Sequence, residues 1–189
     1  LLAWSIWIDY RAYLGYELRD NPEMSDETLL AAEDQRSNRL QQSKAIIAHL
    51  QDAGQLAADV PLLVGGDWNT PSHLDWTKDT ARVYKNRRDL ALPVSIAMAD
   101  AGFTDTFRTV HPNAVQYPGI TWSPMFRGPN HGEEGVEQAF HRIDRLYLKN
   151  PANAVDGWSL RPVAGAVLPL IWEDDLIPIE QRMFPSDHG

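Results

Sequence analysis

A carboxylate and a carboxamide stand two residues apart in the segment Gly65-Gly66-Asp67-Trp68-Asn69, directly after an apolar run at residues 61–64. If that run is a buried strand, its end is where α/β proteins usually place reactive groups. Taken alone, an Asx turn explains the same segment equally well. The pattern therefore predicts a cleft shared by Asp67 and Asn69 if other polar groups join them.

Two later segments supply such groups. Residues 142–148 alternate like a strand with Asp144 inside it, and Ser186-Asp187-His188 stands at the end of the sequence. An acid at an inward strand position requires a polar partner, because an unpaired buried charge is costly. A neighbouring carboxylate in turn favours the protonated imidazole. We therefore expect Asp144 to accept a hydrogen bond from His188.

Together with Gly119-Ile120-Thr121-Trp122-Ser123, these segments resemble, in the right order, the endonuclease/exonuclease/phosphatase superfamily of metal-dependent phosphoesterases. The resemblance spans nearly the whole chain but covers only the C-terminal portion of the family. It implies a DNase I-like α/β fold, a four-layer sandwich of two packed, mostly antiparallel sheets flanked by helices. Residues 1–189 would form a single domain of this type, incomplete at its N-terminal side.

The resemblance also implies a role for each polar side chain. Asp67 would aim or deprotonate the attacking water, and Asn69 would orient Asp67 and contact the scissile phosphate. His188, held by Asp144, would be the cationic partner of the phosphate. Asp187 would ligate a divalent ion, with Mg²⁺ expected and Mn²⁺ or Ca²⁺ as alternatives. These groups must grip one phosphoryl group, so Asp67 and His188 should lie within about 10 Å of each other.

The chain departs from the family at Ser5-Ile6-Trp7-Ile8, where many relatives read Asn-Xaa-His-Leu. Trp7 stands where the first of two phosphate-contacting histidines is expected, and an indole cannot protonate a leaving alkoxide as an imidazolium can. Three explanations stay open. The register is shifted, or Tyr10 or a metal-bound water takes that role, or the activity is weak or altered.

Four further residues are candidates for contact with a substrate. Asp9 and Tyr10 begin a tyrosine-rich loop whose aromatic faces suit a sugar or cyclitol ring. Trp122 would wall the pocket, although a core position is at least as compatible with its type. His73 follows the Asp67 segment closely, and a hydrogen bond to the backbone explains it as well as contact with a substrate.

The net charge of the chain restricts the class of substrate that we expect. A formal charge of −9 over 189 residues repels a polyanionic backbone unless metal ions or a local basic patch intervene. We therefore expect a small or lipid-linked phosphate ester and disfavour nucleic acid. The alternative of a nuclease rests on the local cluster Lys85, Arg87 and Arg88. A third hypothesis is a ligand-binding module of the same fold with weakened catalysis.

Elements that position these groups can be predicted from periodicity and from turn residues. We expect strands at residues 2–8, 62–64, 120–122, 142–148, 158–163 and 167–171, one long helix from Ser25 to Gly54, a second helix at 89–101, and a loop at 9–16.

The beginning of the sequence raises one further expectation. Family members carry an Asn and a metal-binding Glu in a first half that precedes the point matching Leu1, so we expect that half on a longer or companion polypeptide. Residues 1–8 are apolar but too short to cross a bilayer. Cysteine is absent, which excludes disulfides. Its absence and the look of similar bacterial sequences favour a secreted or periplasmic protein, while the compartment stays open.

Overall fold

A computed structural model describes residues 1–84, 88–122, 139–152, 158–168 and 188. Within these residues the protein is a mixed α/β structure with one four-stranded sheet and six α-helices. The predicted α/β class is therefore confirmed. The second sheet of a sandwich is not among the described residues.

The sheet is mixed. Its strands are β1 (Leu2–Trp7), β2 (Leu62–Asp67), β3 (Thr104–Asp105) and β4 (Asp144–Lys149), and their spatial order is β1-β2-β4-β3. β1 pairs with β2 in parallel, whereas β4 pairs antiparallel with both β2 and β3. A parallel pair needs a long crossover, and the segment between β1 and β2 supplies it with helices.

The helices pack around this sheet and connect its strands. They are α1 (Leu14–Asp20), α2 (Asp26–Ala31), α3 (Arg39–Asp52), α4 (Ala81–Tyr84), α5 (Pro93–Asp100) and α6 (Thr106–Val110), and a short 3₁₀ turn at Gln55–Ala57 follows α3. No helix in the described ranges is both long and apolar enough to cross a bilayer.

The prediction of one long helix after Ser25 was wrong in its middle. Ser25 does cap a helix, because its hydroxyl accepts from the Thr28 amide, and Gly54 ends one with φ +70°. Between α2 and α3 the chain turns, with the Ser37 hydroxyl donating to the Ala32 carbonyl at 2.6 Å. The turn brings the buried Arg39 side chain onto Glu33 at 3.0 Å, an ion pair that a continuous helix would not form in this way.

Five other predicted elements differ from the structure. The predicted loop at 9–16 ends in α1, and the predicted helix at 89–101 is shorter because Pro93 begins it. The predicted strand at 120–122 is reduced to a bridge between Trp122 and His141. Residues 158–163 are irregular rather than a strand. Of the predicted strand at 167–171, only 167 and 168 lie in the described residues, and they are irregular.

One face of the sheet carries the larger hydrophobic core. Side chains from β1, β2 and β4 pack there against α3 and α5. Its buried members are Ile8, Leu50, Leu62, Val64, Trp68, Val94, Met98, Phe103 and Tyr147. Burial alternates along β1, so that Leu2, Trp4 and Ile6 face this core while Ala3, Ser5 and Trp7 are exposed on the other face. A smaller cluster around Trp76 packs under α1 and α2.

A buried ionic network holds the start of β4. Arg142 pairs with Asp75 at 2.8 Å and with Asp105 at 2.6 Å, and Arg108 pairs with Asp75 at 2.5 Å. All four side chains are nearly inaccessible to solvent. Charges buried in this way must be fully paired, so the network fixes the chain on the approach to Asp144.

The residue before Asp67 is a glycine for a steric reason. Gly66 has φ +147°, and a Cβ built on it would lie 1.9 Å from the Ile6 carbonyl oxygen of β1. Its neighbour Gly65 has no such conflict with backbone, because a Cβ there would meet only the end of the Leu146 side chain at 2.9 Å. β1 and β2 can therefore pair closely only if residue 66 lacks a side chain.

We expect Gly66→Ala to lower the free energy of unfolding by about 1–3 kcal/mol or more, because it combines backbone strain with an overlap in the sheet. Gly65→Ala is the matched control and should change it by less than about 1 kcal/mol. Urea unfolding of both variants and the wild type measures the difference. Equal effects of the two substitutions would contradict this account of β1–β2 pairing.

Candidate active site

Strand register places three side chains in a row at one end of the sheet. Trp7 pairs with Asp67 across β1 and β2, and Asp67 pairs with Asp144 across β2 and β4. Residues directly opposite each other on neighbouring strands have Cβ atoms about 4.5–5.5 Å apart. Two carboxylates and an indole are thus neighbours, although they are far apart in the sequence.

Trp68 anchors the loop that follows β2. Its side chain is fully buried, its backbone N–H donates to the Ile143 carbonyl at 3.0 Å, and its indole N–H donates to the Arg145 carbonyl at 3.2 Å. Because successive residues point in different directions, burying Trp68 leaves Asp67 and Asn69 on the other side, where both line a cleft.

Asn69 orients the Asp67 carboxylate. Its backbone N–H donates to Oδ1 at 2.8 Å and its amide Nδ2 donates to Oδ2 at 2.9 Å. The same Nδ2 donates to the Ile8 carbonyl at 2.9 Å, so both amide hydrogens are used. Asn69 adopts φ +48° to do this. The geometry assigns Asn69 a positioning role, and its expected contact with phosphate stays a prediction.

Asp144 and His188 form a pair beside Asp67. The His188 Nδ1 lies 2.8 Å from Asp144 Oδ2, and both side chains are partly exposed. The Thr121 hydroxyl oxygen accepts from the Ile143 and Asp144 amides at 3.0 Å each, which fixes the backbone that carries the acid. The His188 ring also packs on Trp122, with ring centroids 4.8 Å apart.

The ionisation of Asp67 is set by competing effects. Burial is the largest and raises the pKa of its carboxyl, and the neighbouring charge of Asp144 raises it further. The Asn69 backbone N–H, His188 and a hydrogen bond from the Trp7 side chain act in the opposite direction. The net pKa lies above the ordinary value, so this carboxylate is a better proton acceptor than an exposed aspartate.

A cleft of about 510 Å³ opens over these groups. Besides Asp67, Asn69 and His188, its wall consists largely of aromatic side chains, namely Trp7, Tyr10, Tyr13, Tyr16 and Trp122. Tyr10 and Trp122 therefore lie where the sequence predicted contact with a substrate. The Trp122 indole N–H donates to the Tyr16 hydroxyl at 3.2 Å, which joins two sides of the wall.

Asp67, Asp144 and His188 also satisfy the spacing of a cation site. Each offers one ligand atom, and these atoms lie within 4.8 Å of one another. Mg²⁺ is typically held by one or two carboxylates together with phosphate oxygens, which the two aspartates fit. The imidazole suits Zn²⁺, Cu²⁺, Fe²⁺ or Ni²⁺ better than Mg²⁺, whereas the two carboxylates suit Mg²⁺, Ca²⁺ and Mn²⁺. The residues present therefore fit a divalent ion and do not fix its identity.

Two predicted substrate contacts lie elsewhere. The Asp9 carboxylate is held by the Arg11 guanidinium at 2.5 Å and accepts from the Asn38 amide at 2.9 Å, so it supports the start of α3. Arg11 holds the pKa of Asp9 well below its usual range. His73 lines a different pocket, where its Nδ1 lies 2.8 Å from the Ser95 hydroxyl. The structure does not bring either side chain to the cleft.

Asp187, the expected metal ligand, lies outside the described residues, as do Lys85 and Arg87. Arg88, the third member of that basic cluster, donates to Asp26 and to the Met24 carbonyl at 2.7 Å each and to the Pro22 carbonyl at 3.0 Å. It stabilises the approach to α2 and contributes no basic stripe beside the cleft.

One pair of side chains that supports the cleft has no signal in the sequence. The Tyr13 hydroxyl lies 2.7 Å from Nδ1 of His141, a residue 128 positions away, and the His141 backbone exchanges hydrogen bonds with Trp122. Burial lowers the pKa of His141 to about 4, so the ring is neutral at pH 7. His141 thereby connects two walls of the cleft, Tyr13 and Trp122.

Comparison with known proteins adds one relative. No protein-family profile matches the chain. The sequence is 28% identical over 186 residues to a Caenorhabditis elegans protein, "Uncharacterized protein F14F9.5". That similarity covers 98% of this chain and 56% of the relative, so the chain spans about half the length of the protein it matches. The name of the relative states no activity, and the function must be argued from the site.

Asn69 gives a test that separates backbone strain from side-chain hydrogen bonding. Asn69→Ala loses both hydrogen bonds of the side-chain amide and must keep a left-handed φ. Asn69→Gly loses the same hydrogen bonds but adopts that φ without strain. We expect the alanine variant to be about 1 kcal/mol less stable than the glycine variant in urea unfolding. Equal stabilities would show that residue 69 does not hold the left-handed conformation in solution.

The pH dependence of the free energy of unfolding should also reflect the buried, neutral His141. The unfolded chain takes up a proton near the ordinary pKa of 6.5, but the folded ring does so only near about 4. His141 therefore makes its full contribution to the free energy of unfolding above pH 6.5. That contribution is lost as the pH falls from 6.5 to about 4, by up to about 1.4 kcal/mol per pH unit. Denaturant unfolding of wild type and His141→Gln between these pH values measures the slope. An unchanged slope in the variant would contradict a neutral buried ring.

Proposed function

We propose that the protein is a divalent-metal-dependent phosphoesterase of the endonuclease/exonuclease/phosphatase superfamily. One observation carries the proposal: Asp67, Asn69, Asp144 and His188, from three distant segments, line or adjoin one cleft, and the ligand atoms of Asp67, Asp144 and His188 lie within 4.8 Å of one another. An Asx turn and a solvated terminal His would have no reason to meet.

Asp67 acts on the attacking water in this proposal. Its fixed orientation by Asn69 suits a group that aims a water at phosphorus or accepts its proton. His188, paired with Asp144 at 2.8 Å, stabilises the negative charge of the phosphoryl group. Activation of the water and stabilisation of the phosphoryl charge fall to different groups, because Asn69 hydrogen-bonds to Asp67 and His188 pairs with Asp144.

Asp67 and Asp144 would hold the divalent ion, with Mg²⁺ as the proposed cofactor and Mn²⁺ or Ca²⁺ as alternatives. When bound, the ion neutralises phosphoryl oxygens and lowers the barrier to attack. Asp187, on the neighbouring position to His188, stays the proposed further ligand.

The DNase I-like sandwich is also part of the proposal. The face of the sheet opposite the main core carries the small side chains of Ala3 and Ser5 and the half-exposed Leu146. Gly65 adds no side chain to this region. A flat, partly apolar face of this kind suits coverage by a second sheet. We propose that the first half of the family fold packs on Ala3, Ser5 and Leu146, on this polypeptide or on a companion, and ends short of Trp7 at the cleft end of β1.

The proposed substrate is a small or lipid-linked phosphate ester. The formal charge of −9 opposes a long polyanion, and Arg88 is committed to α2. A second candidate function is a ligand-binding module with weakened catalysis. Trp7 favours it, because an indole beside Asp67 cannot supply a proton to the leaving group.

Turnover assays with and without metal test the proposal. We expect bis-p-nitrophenyl phosphate or p-nitrophenyl phosphate to be hydrolysed with Mg²⁺ or Mn²⁺, and EDTA to abolish the reaction. Asp67→Ala and His188→Gln should each lower kcat by roughly 100-fold or more. Alanine at the exposed Asp59 is the matched control and should have no effect. If the wild type hydrolyses neither ester with Mg²⁺, Mn²⁺ or Ca²⁺, the binding module is supported and the enzyme proposal is wrong.

A further inference from the structure

The mouth of the cleft carries two exposed aromatic rings. Trp7 is 70% exposed and Tyr10 is 63% exposed, whereas most large apolar side chains among the described residues are covered. The two rings are nearly parallel, with an angle of 15° and centroids 6.3 Å apart. Two adjacent exposed aromatic rings beside a cleft form an apolar surface that a ligand can cover.

These rings adjoin the phosphate-binding groups. Trp7 is the register partner of Asp67, and both Trp7 and Tyr10 line the same cleft as Asn69 and His188. If a phosphate is held beside His188, these two faces are exposed cleft surface on which the alcohol part of an ester can lie.

Several polar atoms of the described aromatic wall are committed inside the protein. The Trp122 N–H donates to the Tyr16 hydroxyl at 3.2 Å, the Tyr13 hydroxyl is paired with His141 at 2.7 Å, and the Trp7 side chain interacts with Asp67. A polyhydroxylated ring needs several hydrogen-bond partners that are not committed, since unpaired hydroxyls lose their hydration. Apart from the Tyr10 hydroxyl and Arg11, the described part of the wall thus offers mainly ring faces, which suit a flat apolar ring better than a sugar.

Resting on the phosphoesterase function above, we propose that Trp7 and Tyr10 form a platform for a planar, apolar ring in the alcohol part of the substrate. The substrate class is then a phosphate ester whose alcohol carries an aryl group close to the ester oxygen. Trp7 is a specificity-determining residue in this account and takes no part in proton transfer.

Binding of phosphonates tests the platform without requiring catalysis, because their P–C bond resists hydrolysis. The probes are benzylphosphonate, n-hexylphosphonate and a 6-phosphonate analogue of glucose, each titrated calorimetrically with Mg²⁺ present. Wild type should bind the benzyl compound most tightly. Trp7→Ala should weaken benzyl binding by roughly three- to tenfold, the range expected for one aromatic pair, and leave hexyl binding nearly unchanged.

Two variants control the interpretation. Trp158→Ala removes another exposed tryptophan, 61% exposed and outside the cleft, and should leave all three affinities unchanged. Trp7→Phe keeps a ring face without the N–H and should retain the benzyl preference. Trp7 is exposed, so these substitutions leave the core intact.

Several outcomes overturn the platform. It is wrong if Trp7→Ala weakens benzyl and hexyl binding equally, or if the glucose analogue binds more tightly than the benzyl compound. If ester turnover is observed but the wild type does not prefer the benzyl probe, the platform fails while the phosphoesterase function stands. If a benzyl preference that depends on Trp7 is found without turnover, the enzyme proposal fails and the ring site remains.

Discussion

The pairing register of β1, β2 and β4 is the constraint on which the site depends. It sets Trp7, Asp67 and Asp144 side by side, and no contact within any one segment could do so. Because side chains alternate faces along a strand, a slip of one residue would turn Asp67 or Asp144 toward the core. Gly66 allows the close approach of β1, and Trp68 prevents slippage by filling the core directly after β2.

Two carboxylates held this closely repel each other, and the surrounding groups offset that repulsion. Asn69 donates two hydrogen bonds to Asp67, and His188 pairs with Asp144. The backbone beneath them is fixed by Thr121 and by the paired charges of Arg142. These contacts hold the two acids close together and correctly aimed, as a site for a cation or a phosphate requires.

Local signals predicted the elements well where one residue type decides the outcome. Ser25 caps a helix, Gly54 ends one, and the apolar runs before Asp9 and Asp67 are strands. Sequence could not show that β1 and β2 are parallel, or that the chain turns between α2 and α3 to bury Arg39 on Glu33. Those features depend on long-range partners.

The candidate site residues likewise divide into those that the sequence placed correctly and those that it did not. The meeting of Asp67, Asn69, Asp144 and His188 was expected from the resemblance, and the structure brings them together. Asp9 and His73 stand close in sequence to site residues but bond to Arg11 and Ser95 instead. Neither partner follows from a local pattern. Likewise, the resemblance expects a histidine at the position of Trp7. Only the structure shows that the exposed Trp7 ring lies nearly parallel to that of Tyr10.

A crystal structure of the protein soaked with Mn²⁺ and phosphate tests the central claim most directly. We predict one anomalous peak within bonding distance of the Asp67 or Asp144 carboxylate and one phosphate that contacts His188 in the same cleft. A metal and a phosphate bound at separate places, or neither bound beside Asp67, would contradict the claim that this end of the sheet is built around a single phosphoryl group.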